Sequence, residues 1–275
     1  MLDATPTYLG FLAVAVAPAA LVSIALAVRS PPGTDRIAGV ALLTVVALAY
    51  TTPWDNALVD RGVWWYGDGA VLATLWHAPL GEYLFVVLQA VAVGLWVSQG
   101  LDRARTTASA RVGTGRHGPG DVPRRDRAIG AAAGLFVGGV GLVLAAGTRT
   151  FYLGAILAWA GPVLALQWAV GWRHLLARRR FLAVGVLVPS TYCWLVDRVA
   201  IELGVWTISA RLTTGVAPGG LPIEEAVFFF VTTLFVAQGL VLYEWVLAAG
   251  WAPATVLAKA GRIHPRLGTV VDRWG

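Results

Sequence analysis

Apolar residues run in long stretches along this chain, and charged residues collect between them. Seven stretches, at 7–28, 36–52, 78–100, 128–147, 151–171, 181–200 and 221–247, are long enough to cross a bilayer. A spanning helix needs roughly 20 mostly apolar residues. Open sheets are excluded in lipid because the amides of an edge strand would stay unpaired. The pattern therefore predicts an all-α integral membrane protein of about seven transmembrane helices.

Composition strengthens this reading: 57% of the residues are hydrophobic, 13% are charged and the mean hydropathy is +0.69, values that do not suit a water-soluble surface. The single cysteine, Cys193, lies inside an apolar run with no second thiol to pair with, which excludes a disulfide framework. The first apolar run follows Met1, Leu2 and Asp3 without a basic lead, so it is expected to be a membrane helix and not a cleaved signal.

The net charge of +6 fits nucleic-acid binding until its position is read. Seventeen of the 21 basic residues fall on one side of the predicted spans, including Arg103 to Arg127, Arg173 to Arg180 and Lys259 to Arg273. The other side keeps Arg61, Arg149 and Arg211, with Arg198 near the end of the sixth helix. Basic loops stay cytoplasmic, so the amino terminus is expected outside and the carboxy terminus inside a cell membrane crossed several times. Nucleic acid drops out as a partner. The segment 101–127, with Gly113, Gly115, Gly118, Pro119, Gly120 and Pro123 among its arginines, reads as a flexible cytoplasmic joint beside anionic membrane lipid, and 251–275 reads as a basic tail.

The segment from Tyr50 to Trp64 aligns without gaps to that from Tyr192 to Trp206, at an offset of 142. Asp55 meets Asp197, Asp60 meets Glu202, and Gly62-Val63-Trp64 meets Gly204-Val205-Trp206. A second pair, Pro79 to Phe85 and Pro222 to Phe228, follows at an offset of 143. Matched Asp, Glu, Pro, Gly and Trp are much less common by chance than matched Leu or Val, so the chain is expected to hold two copies of one unit, 1–100 and 151–250. Three helices per copy is an odd number. The helix at 128–147 restores parity, so both copies run the same way and their matched acids meet at one membrane face.

Acids inside apolar runs are costly and usually face a partner, a cavity or a reaction. Glu82 and Glu225 each lie one turn after a proline, Pro79 and Pro222, at a helix start. They either complement the helix dipole or head the aromatic faces below them: Phe85 and Gln89 on the third helix, and Phe228, Phe229 and Thr232 on the seventh. Burial beside aromatic rings favours the protonated form of a carboxylic acid, which suits a proton donor to a poor base. Asp55 and Asp197 fit either acid–base chemistry or a turn-holding role. Glu224 doubles the acid of the second copy, where the first has Gly81. Asn56, Trp64 and Trp206 are further candidate substrate contacts, although tryptophan at a helix end also fits an interfacial belt. His77 and His174 lack ligand partners at metal spacing, and no strand–glycine-loop–helix unit exists for flavin or nicotinamide, so neither metal nor cofactor is expected.

The runs PWDNALVDRGVWWY and PLGEYLFVVLQ in the first half, with VDRVAIELGVW and LPIEEAVFFF in the second, resemble the lycopene cyclase domain family. The resemblance covers nearly the whole chain outside 101–127 and corresponds to a fused form of two small units. It implies cyclisation of the linear ends of lycopene to β-rings, through γ-carotene to β-carotene, without net redox change. Protonation of a terminal alkene gives a tertiary cation, a neighbouring double bond closes the ring, and a base removes a ring proton. Rival readings are a carotenoid hydratase, an elongase, which needs a magnesium–diphosphate motif not evident here, and a membrane carrier of a hydrophobic ligand. A Schiff-base retinal protein is closed because the only lysine, Lys259, lies beyond the last span. The charge asymmetry makes a direct forecast: a reporter fused after Gly275 is expected to be active only on the cytoplasmic side, and activity only outside would overturn the orientation.

Overall fold

Gly62 and Gly204 end two long helices in the same way, and those two ends frame the fold. In each, the glycine takes a positive φ, 70° and 69°. The Val63 N–H donates to Leu58 O at 3.0 Å and the Val205 N–H to Ala200 O at 2.9 Å, while Gly62 and Gly204 donate to Val59 and Ile201. This pairing closes a helix by satisfying its last carbonyls and turns the chain sharply.

The computed structural model describes residues 6–108 and 118–250, so the middle of the predicted linker and the whole predicted tail lie outside the described residues. Among the described residues, seven helices are long and apolar enough to cross a membrane. They are α1 (Tyr8–Arg29), α2 (Thr34–Asp60), α3 (Leu80–Ala108), α4 (Arg124–Ala145), α5 (Phe151–Ala177), α6 (Arg179–Glu202) and α7 (Ile223–Ala248). α1 contains a π-helical turn at Leu12–Val16 just ahead of Pro18. Proline lacks the N–H that would continue the ladder, and wider turns are one way helices absorb this.

Several boundaries differ from the hydropathy reading. α2 does not stop at residue 52 but continues through Pro53 to Asp60, so Asp55 and Asn56 sit on a helix instead of a loop. α4 begins at Arg124, inside the expected linker. Asp126 explains this start, because its carboxylate pairs with Arg173 at 2.8 Å while its carbonyl accepts from Trp172 Nε1 at 3.1 Å.

Short strands also occur outside the helices. β1 (Trp64–Tyr66) pairs antiparallel with β4 (Trp206–Ile208), Trp65 opposite Thr207, and β2 (Thr74–Leu75) pairs with β3 (Ala78–Pro79). The first ribbon extends at both ends: Ser209 N donates to Val63 O at 2.8 Å and Gly67 N to Val205 O at 3.1 Å. It ties the loop after α2 to the loop after α6.

α3 and α7 occupy the centre, each with half of its apolar window buried, more than any other span. They touch each other, and each also packs on helices from both halves of the chain. Gln89 Nε2 donates to Thr232 Oγ1 at 3.1 Å where they cross. Towards the opposite end of the bundle, buried Arg36 of α2 pairs with Glu244 of α7 and donates to Ser98 O of α3 at 3.1 Å.

α4 lies outermost and is held to α5 by backbone proximity. A methyl group added at Gly134 would sit 2.1 Å from Ala165 N, and one at Gly141 would sit 2.2 Å from Ala158 N. The glycines thus serve helix packing through small residues. Gly134→Ala is expected to destabilise the detergent-solubilised protein by about 1–3 kcal/mol, read as a lower melting temperature. Gly139→Ala, whose added carbon meets nothing within 4 Å, should be neutral or slightly stabilising. Equal behaviour of the two variants would remove the close-packing account.

Candidate active site

The end of the bundle where α2 and α6 finish and α3 and α7 begin gathers four carboxylic acids. Asp55 comes from the last turns of α2 and Asp197 from the matching turns of α6, while Glu82 and Glu225 lie in the first turns of α3 and α7. All four line one cavity of about 50 Å³, walled by Phe85, Phe228, Phe229, Trp64 and Trp206. Asp197 is 2% exposed, Glu225 5% and Asp55 7%, so water contributes little to their solvation.

Hydrogen bonds to these acids come from aromatic side chains. Tyr66 OH donates to Glu82 Oε1 at 2.6 Å and accepts from Trp64 Nε1 at 2.8 Å, a relay across β1. Burial pushes the Tyr66 hydroxyl far above the usual phenol range, and the neighbouring Glu82 and Asp55 add to it, so it stays a donor. Tyr8 and Tyr152 line the same cavity as these acids. Trp206 Nε1 donates to Asp197 Oδ1 at 2.9 Å. Two oxygens, Glu225 Oε1 and Asp197 Oδ2, have no hydrogen-bond partner on the protein. A buried polar atom without a partner is costly, and a site that exchanges protons with a substrate gives one a use.

Not every candidate faces this cavity. Glu224 is fully buried, and its Oε1 accepts from Thr214 N at 2.7 Å and Thr214 Oγ1 at 2.8 Å. Asn56 accepts from His77 N and Ala78 N, both at 2.9 Å, and donates to Thr52 O and Tyr83 OH. Each therefore pins the loop that leads into a glutamate-bearing helix. Gln89 and Thr232 lie about two turns further along, where they join α3 to α7 and line an adjacent groove.

Three tyrosines of the site escaped the sequence reading. Tyr8 and Tyr152 open α1 and α5, and each is fixed by its loop: Tyr8 N donates to Ala70 O at 2.8 Å and Tyr152 N to Leu212 O at 3.0 Å. The signal for them was present, since Tyr8-Leu9-Gly10 recurs as Tyr152-Leu153-Gly154, with Pro18 and Pro162 in step behind. Tyr66 has no such signal, because its matched position is Ile208. The departure at Gly81 also gains a reason. A carbon added there would lie 2.5 Å from the Tyr8 ring, so an acid like Glu224 does not fit.

The sequence model of the lycopene cyclase family matches residues 6–98 and 149–246. Lycopene beta-cyclases from two strains of Halobacterium salinarum are 51% identical over 245 residues, covering 89% of this chain and 98% of theirs. A bifunctional lycopene cyclase/phytoene synthase of Aspergillus oryzae is 32% identical over 239 residues, 86% of this chain but 39% of the fungal protein. No solved structure matches the chain. A family match in both halves, together with such identity to cyclases of similar length, means that this chain belongs to the lycopene cyclase family.

Proposed function

We infer that this protein closes the linear ends of lycopene into β-rings by proton-initiated cyclisation inside the membrane. The observation that carries this reading is the meeting of Asp55, Glu82, Asp197 and Glu225 around one aromatic-walled cavity. The chemistry needs an acid stronger than water, a base, and walls that keep water from trapping the cation as an alcohol. Apolar walls of phenylalanine and valine favour ring closure over hydration.

We assign the initiating proton to Glu225, which with Asp197 is one of two cavity acids holding an oxygen free of hydrogen bonds and which heads the aromatic face of α7 at Phe228 and Phe229. The proton goes to the terminal alkene and leaves a tertiary cation. Attack by the neighbouring double bond forms the ring, and loss of a ring proton restores neutrality with no net redox change. Glu82, with Tyr66 donating to its Oε1, is held in a fixed orientation, and with Asp55 and Asp197 it surrounds the cation with carboxylates. One of these three accepts the ring proton. Glu224 acts on this reading by holding its loop, since its Oε1 is engaged by Thr214.

The same reading treats the chain as two parallel copies related by duplication. It is supported by the ribbon register, in which Val63–Ser209 and Val205–Gly67 are mates at an offset of 142, and by the equal helix endings at Gly62 and Gly204. An outside amino terminus draws support from Arg124, Arg125, Arg127 and Arg178 to Arg180, all at the end away from the acids.

Glu225→Gln keeps size and hydrogen bonding but removes the acid, so conversion of lycopene should fall about 10²-fold or more while folding survives. Glu82→Gln should be severe as well, because it removes a carboxylate from the cation's surroundings. Glu224→Gln still accepts from Thr214 and should keep most activity. Pigment extraction from lycopene-making cells reads all three, and near-parent conversion by both Glu225→Gln and Glu82→Gln in folded protein would refute the site.

A further inference from the structure

The acid cavity holds space for only a few water molecules, far less than an isoprenoid end group and the polyene behind it require. Two apolar grooves continue from its walls. The wider, about 550 Å³, runs between α2, α3, α5 and α7 and shares Phe228 with the cavity. The narrower, about 200 Å³, runs between α1, α3 and α6 and shares Val16, Phe85, Cys193 and Val196 with it.

Under the duplication, these grooves are counterparts. Tyr50 and Thr51 of the wide groove correspond to Tyr192 and Cys193 of the narrow one, and Phe228 and Thr232 correspond to Phe85 and Gln89. Even the clamps match: Tyr50 OH donates to Trp159 O at 2.8 Å, and Tyr192 OH donates to Ala15 O. What differs is size and the wall beside the acids. Trp54 stacks on Trp159 at 4.8 Å between ring centres and on Phe228 at 5.7 Å, with only 9° between the latter planes. In the other copy, Val196 stands at the place of Trp54 and Ala15 at that of Trp159. Length separates them too. The wide groove follows α7 from Phe228 to Val246, roughly 27 Å at the helical rise, and the narrow one follows α3 from Phe85 to Trp96, about 17 Å.

We propose that the wide groove is the binding site for the conjugated arm of the substrate, that its end group enters the acid cavity past Phe228, and that the narrow groove does not serve this purpose. The proposal rests on the cyclase reading and adds the site and direction of the polyene. Flat aromatic rings at the groove head offer stacking to a conjugated chain and face the cation as it forms. The amide N–H groups in the groove are engaged, Gln167 Nε2 with Phe235 O at 2.9 Å and Gln89 Nε2 with Thr232 Oγ1 at 3.1 Å, so a hydrocarbon displaces neither bond, while Gln167 Oε1 and Trp159 Nε1 carry no partner on the protein.

Binding is tested apart from chemistry, on purified Glu225→Gln protein loaded with lycopene and read by induced visible circular dichroism and tryptophan quenching. Adding Ala47→Trp or Val163→Trp fills the wide groove and should weaken lycopene binding on the order of tenfold or more, at an unchanged melting temperature. Ala92→Trp fills the narrow groove and should leave binding within about twofold. If the tryptophan variants unfold, the graded series Ala47→Val and Ala47→Leu should weaken binding in order of size. Unchanged binding in the wide-groove variants, an equal loss with Ala92→Trp, or a tightly held acyl lipid that lycopene does not displace would overturn the assignment. A fully active Glu225→Gln would instead remove the acid assignment and leave the binding result standing.

Discussion

A carboxyl group buried at the end of an apolar helix bundle has to take its hydrogen bonds from the chain, because too little water reaches it. Here the donors are aromatic: Tyr66 for Glu82 and Trp206 for Asp197. Placing them fixes much of the architecture. Tyr66 and Trp206 come from the two strands of one ribbon, so that ribbon must pair across the halves of the chain. Tyr8 and Tyr152 must open their helices against the loops at Ala70 and Leu212, and Gly81 must stay bare for the Tyr8 ring. The central crossing of α3 and α7 then brings the two glutamates together.

The halves resemble each other, yet the differences between them bear on the chemistry. Tyr66 faces Glu82, while its counterpart position holds Ile208, and Glu225 keeps a bare oxygen. Glu224 anchors a loop in one half, and Asn56, from a different helix, does the same in the other. Trp54 and Trp159 build an aromatic wall on one side only. On the proposed reading, these unequal fillings of the two halves give one end of the substrate a single preferred approach.

Much of this was legible in the sequence. Helices follow from apolar length, and the four cavity acids stood out because charges inside apolar runs are few and these recur at offsets of 142 and 143. Three things were hidden for physical reasons. The second apolar stretch ends at residue 52, but the helix continues through Pro53 and carries Asp55 inward. Strands of three residues are too short to leave a period of two. Glu224 and Asn56 share a residue type or a neighbour with the cavity acids, and only the direction of their side chains separates loop anchors from cavity walls.

The central claim is that a proton passed through the cavity acids starts ring closure and that a different hydrogen leaves the ring at the end. Turnover of lycopene by the purified protein in D₂O, followed by mass spectrometry of the pigments, measures this most directly. The account predicts one solvent deuterium retained for each ring formed. Rings that form with no deuterium incorporated would contradict it.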